Sequence, residues 1–234
     1  MTILLHGFWG QPADWKRVLE LLKLGCPVLV PDLYEPGPLS PETSLADWPG
    51  VFWKWVEQQW GASPVQIVGY SMGARLAVSA AQYEPERVSR ALFLSGNPIL
   101  KHTDYAERLA WENEWRKKFL CEDWAELEKM WHEQPIMSGS ALAQRRMTSI
   151  MREALALSLE VWSPRHHPFT EEDVGELPST CEWAFGALDQ KYVKIAKGLQ
   201  ELPVRGQISL IPKADHRLIT TAAEFIADWT QKGM

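Results

Sequence analysis

The pentapeptide Gly69-Tyr70-Ser71-Met72-Gly73 constrains this chain more than any other feature. It follows an apolar run, Pro64-Val65-Gln66-Ile67-Val68, that reads as a buried strand. It precedes Ala74-Arg75-Leu76-Ala77-Val78-Ser79-Ala80-Ala81, a run of good helix formers. Strand, G-x-S-x-G and helix in that order make a turn so tight that Gly69 and Gly73 must lack side chains for the backbones to pack. Ser71 is then thrust above the carboxyl edge of a sheet, at a helix N-terminus that favours developing negative charge. The bland alternative is an ordinary strand-to-helix turn. The pentapeptide alone does not exclude it, but the flanking segments argue against it.

A second segment supports the sharper reading. Near the start, Ile3-Leu4-Leu5 runs into His6-Gly7-Phe8-Trp9-Gly10. An apolar strand entering His-Gly-Phe resembles the oxyanion loop of the α/β-hydrolase superfamily. That resemblance implies that the backbone N–H groups of Phe8 and of Met72, the residue after the serine, face a developing oxyanion. His6 reads as a structural histidine bracing the loop rather than as a catalytic one.

In this superfamily the serine is followed in the chain by an acid and then a histidine. Trp183-Ala184-Phe185-Gly186-Ala187-Leu188-Asp189 reads as a strand ending in an acid, and Ile208-Ser209-Leu210-Ile211-Pro212 as the next strand. Lys213-Ala214-Asp215-His216 forms the loop beyond it. Asp189 would orient the His216 imidazole, and His216 would take the proton of Ser71. Among competing groups, Asp32 precedes the serine and Asp173 lies in a polar stretch. His166 and His167 stand in a proline-flanked segment that reads as a loop. The superfamily usually has Gly just before the histidine. Here Asp215 puts a carboxylate beside the imidazole.

Composition fits one soluble α/β domain with an insertion: 234 residues, 46% hydrophobic. A net charge of −6 provides no basic footprint for nucleic acid. Cys26, Cys121 and Cys181 are odd in number and widely spaced, which suggests a reducing compartment, no disulfide framework and no metal site. No signal peptide or membrane-length apolar run is evident, so a cytoplasmic protein is expected. The 13 Trp read mostly as packing.

Strands are expected at 2–6, 26–31, 64–69, 90–95, 181–187 and 207–212, with helices over 12–24, 44–60, 72–83, 192–200 and 220–231. The alternation implies an α/β fold with a doubly wound, mostly parallel sheet. Relative to the resembled superfamily, the usual N-terminal hairpin is expected to be absent or minimal. Residues 98–165 are too long for one crossover and read as a helical cap, leaving 1–97 and 166–234 as the core. In that cap Arg108, Trp111 and Trp115 share one helix face. Met147, Ile150, Met151 and Ala154 share another, with Arg152 beside it.

Three arginines discriminate between functions. Arg75 lies one turn into the helix after Ser71, where a guanidinium needs an anionic partner. Arg108 lies on an aromatic face, and Arg152 borders an apolar stripe. Converging on one serine, they would suit a substrate with several carboxylates. The competing reading is internal ion pairing: Arg75 with a core acid, and Arg108 with Asp104 or Glu112, each four residues away.

A closer resemblance then emerges. The chain resembles the family of 2-succinyl-6-hydroxy-2,4-cyclohexadiene-1-carboxylate synthases, hydrolase-fold lyases of menaquinone biosynthesis. The matching pieces include His6-Gly7-Phe8, Gly69 through Arg75, Ser95-Gly96-Asn97-Pro98, Ala106-Glu107-Arg108, Trp115 and Phe119. Trp131 with Gln134-Pro135, Gln144-Arg145-Arg146 with Arg152, and Asp189 and His216 complete them. Trp9, where a small residue often stands, and Asp215 are departures. The resemblance implies elimination of pyruvate from a cyclohexene bearing succinyl, carboxylate and enolpyruvyl groups. It implies Ser71, Asp189 and His216 as the catalytic set, and Tyr70, Arg75, Arg108, Trp131, Gln134 and Arg152 around a polycarboxylate substrate, with no metal or organic cofactor. A serine carboxylesterase acting, for example, on an acyl-carrier-protein ester is the main alternative. A non-catalytic receptor on the same fold is a third, opposed by the intact Ser, Asp and His.

Overall fold

The computed structural model describes residues 1–23, 25, 27–134, 148–167 and 169–232. Cys26, Pro135, Gln144-Arg145-Arg146 and Met147 lie outside the described residues.

The chain begins on β1 (Thr2–Leu5), makes a tight 3-10 turn over Pro12–Trp15 and enters α1 (Lys16–Leu21). Then come β2 (Val28–Leu29), α2 (Trp48–Trp60), β3 (Val65–Tyr70), α3 (Met72–Tyr83) and β4 (Val88–Leu94). A helical insertion follows: α4 (Tyr105–Cys121), α5 (Trp124–His132) and α6 (Ser149–Val161). The chain returns through α7 (Glu171–Glu176), β5 (Cys181–Gly186), α8 (Gln190–Gln200), β6 (Ile208–Ile211), α9 (Leu218–Thr221) and α10 (Ala223–Lys232).

The six strands form one sheet in the order β2-β1-β3-β4-β5-β6. All five pairings are parallel. Side-chain alternation divides the core. Ile3, Leu5, Ile67, Phe93 and Phe185 point to one face, where they join Phe52, Val56, Leu76, Ala80 and Ala196 of α2, α3 and α8. Leu4, Val68, Leu92 and Leu94 point to the other, against Val18, Leu218, Ile226 and Trp229 of α1, α9 and α10. Helices on both faces of a parallel sheet make it doubly wound.

Several elements differ from expectation. The helix expected over 12–24 is a 3-10 turn over Pro12–Trp15 followed by α1, which ends at Leu21. The strand expected at 26–31 is only Val28–Leu29, because Pro27 and Pro31 flank it and proline cannot donate to a ladder. The helix expected from 44 starts at Trp48. Ser44 and Asp47 close a turn first, with the Ser44 hydroxyl donating to Asp47 at 2.6 Å. The helix expected at 220–231 is two helices, broken at Ala222 (φ −138°, ψ 32°). On α6, Met151, Leu155 and Leu159 are buried while Ile150 is 57% exposed, so the apolar stripe is rotated from the one expected.

Topology locates the crevice. The chain leaves β1 toward β2 on one side and later places β3 on the other, so the switch point lies between the carboxyl ends of β1 and β3. Leu5 pairs with Gly69 there, which brings the loop after β1 against the turn after β3.

Candidate active site

Ser71 sits at that switch point, with φ 53° and ψ −107°. Its neighbours explain how an L-residue is held there. A Cβ on Gly69 would stand 2.3 Å from the Gly73 carbonyl oxygen, and one on Gly73 would stand 2.3 Å from the Leu5 oxygen. Only glycines allow so close an approach, and the Ser71 N–H is pinned to Leu94 O at 2.8 Å. Among the described residues, the four non-glycine residues of positive φ are Trp9, Ser71, Ser95 and Lys213. They follow β1, β3, β4 and β6, so backbone strain collects on the carboxyl edge of the sheet, as it does at functional sites.

Asp189 and His216 come together at this edge from two strands. His216 Nδ1 lies 2.9 Å from Asp189 Oδ2, with both side chains buried. The pair puts the imidazole proton on Nδ1 and leaves Nε2 as the acceptor. Asp189 Oδ1 also accepts from Tyr192 N–H at 3.2 Å, so the same carboxylate caps α8 and holds the histidine. The Ser95 hydroxyl donates to the His216 carbonyl at 2.9 Å and ties the histidine loop to β4. Tyr192 and Tyr70 flank the imidazole at ring distances of 4.5 and 5.7 Å. Asp215 Oδ1 is engaged elsewhere, accepting from Arg217 N–H at 2.8 Å and from the Thr221 hydroxyl at 3.3 Å.

The loop after β1 is braced by His6. Leu33 N–H donates to His6 Nε2 at 2.9 Å, so the proton sits on Nδ1, which donates to the Gly7 carbonyl at 2.9 Å. His6 is fully buried and joins the Phe8 loop to the segment after β2. Trp9 N–H donates to the Tyr34 hydroxyl at 3.1 Å. Phe8 stands beside Trp131 and Phe119 of the insertion at ring distances of 5.0 and 5.6 Å. Met72 opens α3, whose first N–H groups have no intrahelical acceptor.

The arginines divide. Arg75 Nη1 donates to the Trp162 carbonyl at 2.9 Å and to His167 Nε2 at 2.6 Å. Both acceptors are neutral, and among the described residues no carboxylate forms an ion pair with Arg75. Burial, with Arg108 nearby, lowers its pKa from 12.5 to about 10. Arg108 Nε donates to Glu112 at 2.6 Å, and its guanidinium lies 4.5 Å from the Trp111 ring centroid. Glu112 is almost fully buried and also accepts from the Ser163 hydroxyl at 2.7 Å and from Arg165 Nε at 2.9 Å. The expected pairing of Arg108 at four-residue spacing thus falls on Glu112. Arg165 joins Glu112, and His167, from the segment expected to be a loop, joins Arg75. A buried acid facing an arginine one turn away was the available signal for Glu112. Nothing local signals Arg165.

Arg152 is not part of that cluster. Its Nη1 donates to the carbonyls of Phe119 and Glu122, at the C-terminus of α4, and its guanidinium lies 4.3 Å from the Trp124 ring centroid. Trp131 is packed against Phe8, Trp9, Trp115 and Phe119. Gln134 Nε2 turns back to the Trp131 carbonyl at 3.4 Å. Among the described residues no cluster of His, Cys, Asp and Glu has metal-binding geometry, and no helix is long and apolar enough to cross a membrane.

An open parallel sheet with a strained serine at its switch point, and a carboxylate–imidazole pair from its last two strands, defines a class. A model of the α/β hydrolase family matches residues 2–229, and the chain belongs to that family. Within it, the chain is similar to 2-succinyl-6-hydroxy-2,4-cyclohexadiene-1-carboxylate synthase of Salmonella agona (strain SL483). The two are 27% identical over 203 residues, 83% of this chain and 80% of the relative. Among solved structures it is similar to MenH from S. aureus, with a TM-score of 0.83 and 19% identity over 99% of this chain and 93% of that one. It is also similar to a thioesterase domain from the curacin biosynthetic pathway, with a TM-score of 0.70 and 18% identity over 98% and 90%. At those identities the structural likeness concerns the fold.

Proposed function

We propose that the chain is a carbon–oxygen lyase that eliminates pyruvate from an enolpyruvyl-succinyl-cyclohexene carboxylate, forming 2-succinyl-6-hydroxy-2,4-cyclohexadiene-1-carboxylate. The observation that carries this reading is Arg75. A buried guanidinium one turn from Ser71, held by neutral acceptors and with Arg108 near, has no carboxylate ion-paired to it among the described residues, with Glu112 acting on it only at a distance. A polycarboxylate substrate would satisfy it, because a fork of N–H donors matches a carboxylate. The name of the Salmonella relative supports the same substrate class.

In this mechanism Ser71, with His216 and Asp189 behind it, is the base that removes the ring proton, which passes to His216 Nε2. The electron pair moves onto the adjoining carbonyl oxygen, held by the N–H groups of Phe8 and Met72. Such a donor contributes roughly 3 kcal/mol to the barrier reduction. The pair then returns to the ring, the ring double bond shifts one place and the bond from the ring to the enolpyruvyl oxygen breaks. The leaving enolate takes the proton back from His216 Nε2 and becomes pyruvate. Arg75 and Arg108 hold carboxylates, and Tyr70, Trp131 and Gln134 line the pocket. Arg152 has a positioning role, fixing the end of α4 beneath Trp124. Residues 98–165 serve as a cap that excludes water, and 1–97 with 166–234 form the core. No metal or organic cofactor has a step to perform.

The test is pyruvate release from the enolpyruvyl precursor, followed with lactate dehydrogenase. Steady release that disappears in Ser71→Ala supports the lyase. A second reading, an esterase or thioesterase, is favoured by the Asp189–His216 pair and the curacin thioesterase likeness. There Ser71 would form an acyl-enzyme. A burst on p-nitrophenyl esters with no pyruvate release selects it.

A further inference from the structure

His167 lies just beyond a 3-10 turn over Pro164–His166, 8% exposed. Its ring stands 5.2 Å from Phe169. Among the described residues the one polar contact of its Nε2 is Arg75 Nη1, at 2.6 Å. A guanidinium only donates, so Nε2 must be the acceptor and the imidazole must be neutral, with its proton on Nδ1. That Nδ1–H is buried and has no partner among the described residues. Burying an unpaired donor is costly, and a leucine here would avoid the cost. The histidine is therefore poor as packing and well suited as an acceptor for Arg75.

The choice of acceptor matters. An Asp or Glu in the same place would hold Arg75 more tightly and cancel its charge. A purely apolar residue would leave one N–H unmet and the guanidinium free to swing. A neutral nitrogen and the Trp162 carbonyl fix the fork while leaving the charge whole. Arg108 is treated differently: it is ion-paired to Glu112.

We propose that His167 is a positioning residue of the anion site, a neutral acceptor that aims Arg75 at a substrate carboxylate without neutralising it. This deepens the preceding reading and rests on Arg75 binding a carboxylate. Burial and the adjacent Arg75 and His166 push the imidazole pKa well below 6.5, which keeps the acceptor neutral near pH 7.

Three substitutions separate geometry from charge. His167→Gln supplies a neutral amide oxygen at similar reach, His167→Glu supplies a charged one, and His167→Leu supplies none. The probe is tricarballylate, a small tricarboxylate, titrated calorimetrically into each full-length variant at pH 7. If activity is established, KM and kcat are measured on the native substrate as well. His167→Gln is expected to stay within about threefold of wild type. His167→Glu and His167→Leu are expected to weaken binding by ~10-fold or more. The loss should appear in KM, with kcat little changed. Should His167→Leu fail to fold, the Gln and Glu variants, alike in shape and different in charge, still decide. Equal binding by His167→Gln and His167→Glu, with Arg75→Ala inactive in binding, overturns the role of His167 while leaving the anion site standing. Wild-type binding by Arg75→Ala removes the anion site itself and this proposal with it.

Discussion

The sheet edge and the arginine cluster position charged groups by opposite means. At the edge, Asp189 and His216 are carried by strand ends, the Ser95 hydroxyl pins the His216 carbonyl, and Asp189 already caps α8. Backbone geometry would survive loss of a side chain there. In the cluster, Arg108, Arg165 and Ser163 are held by one carboxylate, Glu112, and Arg75 by a carbonyl and an imidazole from residues 162 and 167. These groups hold one another, from α3, α4 and the segment after α6. Removing a member at the edge should therefore cost chemistry without stability. Removing the hub of the cluster should cost stability as well.

The largest expected effect tests the first half. Ser71→Ala, His216→Ala and Asp189→Asn should each lower turnover by about a thousandfold or more, because members of one catalytic unit act together. Melting temperatures should stay within a few degrees of wild type. Asn still accepts at a helix N-cap, so Asp189→Asn keeps the start of α8. Near-normal turnover in Asp189→Asn would show that another acid orients His216.

Glu112→Ala tests the second half. It leaves two guanidiniums and a hydroxyl without their buried partner. Breaking such a network from one side costs about 3–5 kcal/mol, and Glu112→Gln should cost less because an amide oxygen still accepts. Urea titration measures the difference. A Glu112→Ala protein as stable as wild type would mean that the cluster is held by packing, and the contrast with the sheet edge would dissolve.

The contrast also explains what was legible in the sequence. The G-x-S-x-G turn, the loop at Phe8 and the strand-end positions of Asp189 and His216 follow from local rules of backbone packing, so residue types at fixed spacing reveal them. Asp189 as both acid and helix cap was within reach of the same rules, since a helix that starts at Gln190 needs a cap just before it. The cluster obeys no local rule. Arg108 and Glu112 are one turn apart, but Arg165 is 53 residues from Glu112 and His167 is 92 from Arg75. Arg152 has the composition of a substrate ligand, yet its Nη1 serves the carbonyls that end α4, a pairing no spacing in α6 suggests. Trp9 illustrates the same limit: its φ of 53° is uncommon for a residue with a bulky side chain, and its burial against Phe119 and Trp131 depends on the insertion.

Arg75 and Arg152 sharpen the comparison at an intermediate scale. Arg75→Ala should lower kcat/KM on a polycarboxylate substrate by about 2–4 kcal/mol equivalent, and Arg75→Lys should also be impaired because it loses the fork. A small neutral ester, if hydrolysed at all, should barely respond. Arg152→Ala should instead cost about 1–2 kcal/mol of stability through the lost carbonyl contacts, and act equally on both substrates. If Arg152→Ala is selective for the polycarboxylate, it belongs with Arg75 after all.

The smallest expected effect concerns pH. Burial, Arg75 and His166 all act to lower the His167 pKa well below 6.5, so the folded protein keeps the ring neutral where the unfolded chain would protonate it. Between the lowered folded value and 6.5 the unfolded state binds more protons, and stability therefore rises with pH across that window. The contribution is fully present above the unfolded value and is lost as pH falls toward the folded one. Other groups titrate too, so the informative quantity is the difference between wild type and His167→Gln. Glutamine cannot take up that proton. Urea midpoints measured from pH 7.5 down to 5 should fall more steeply in wild type than in His167→Gln, by a slope of at most one proton. At pH 7.5 the two should differ little. Parallel pH profiles would mean that His167 accepts its proton freely in the folded state, in which case it is not the neutral acceptor that holds Arg75 in place.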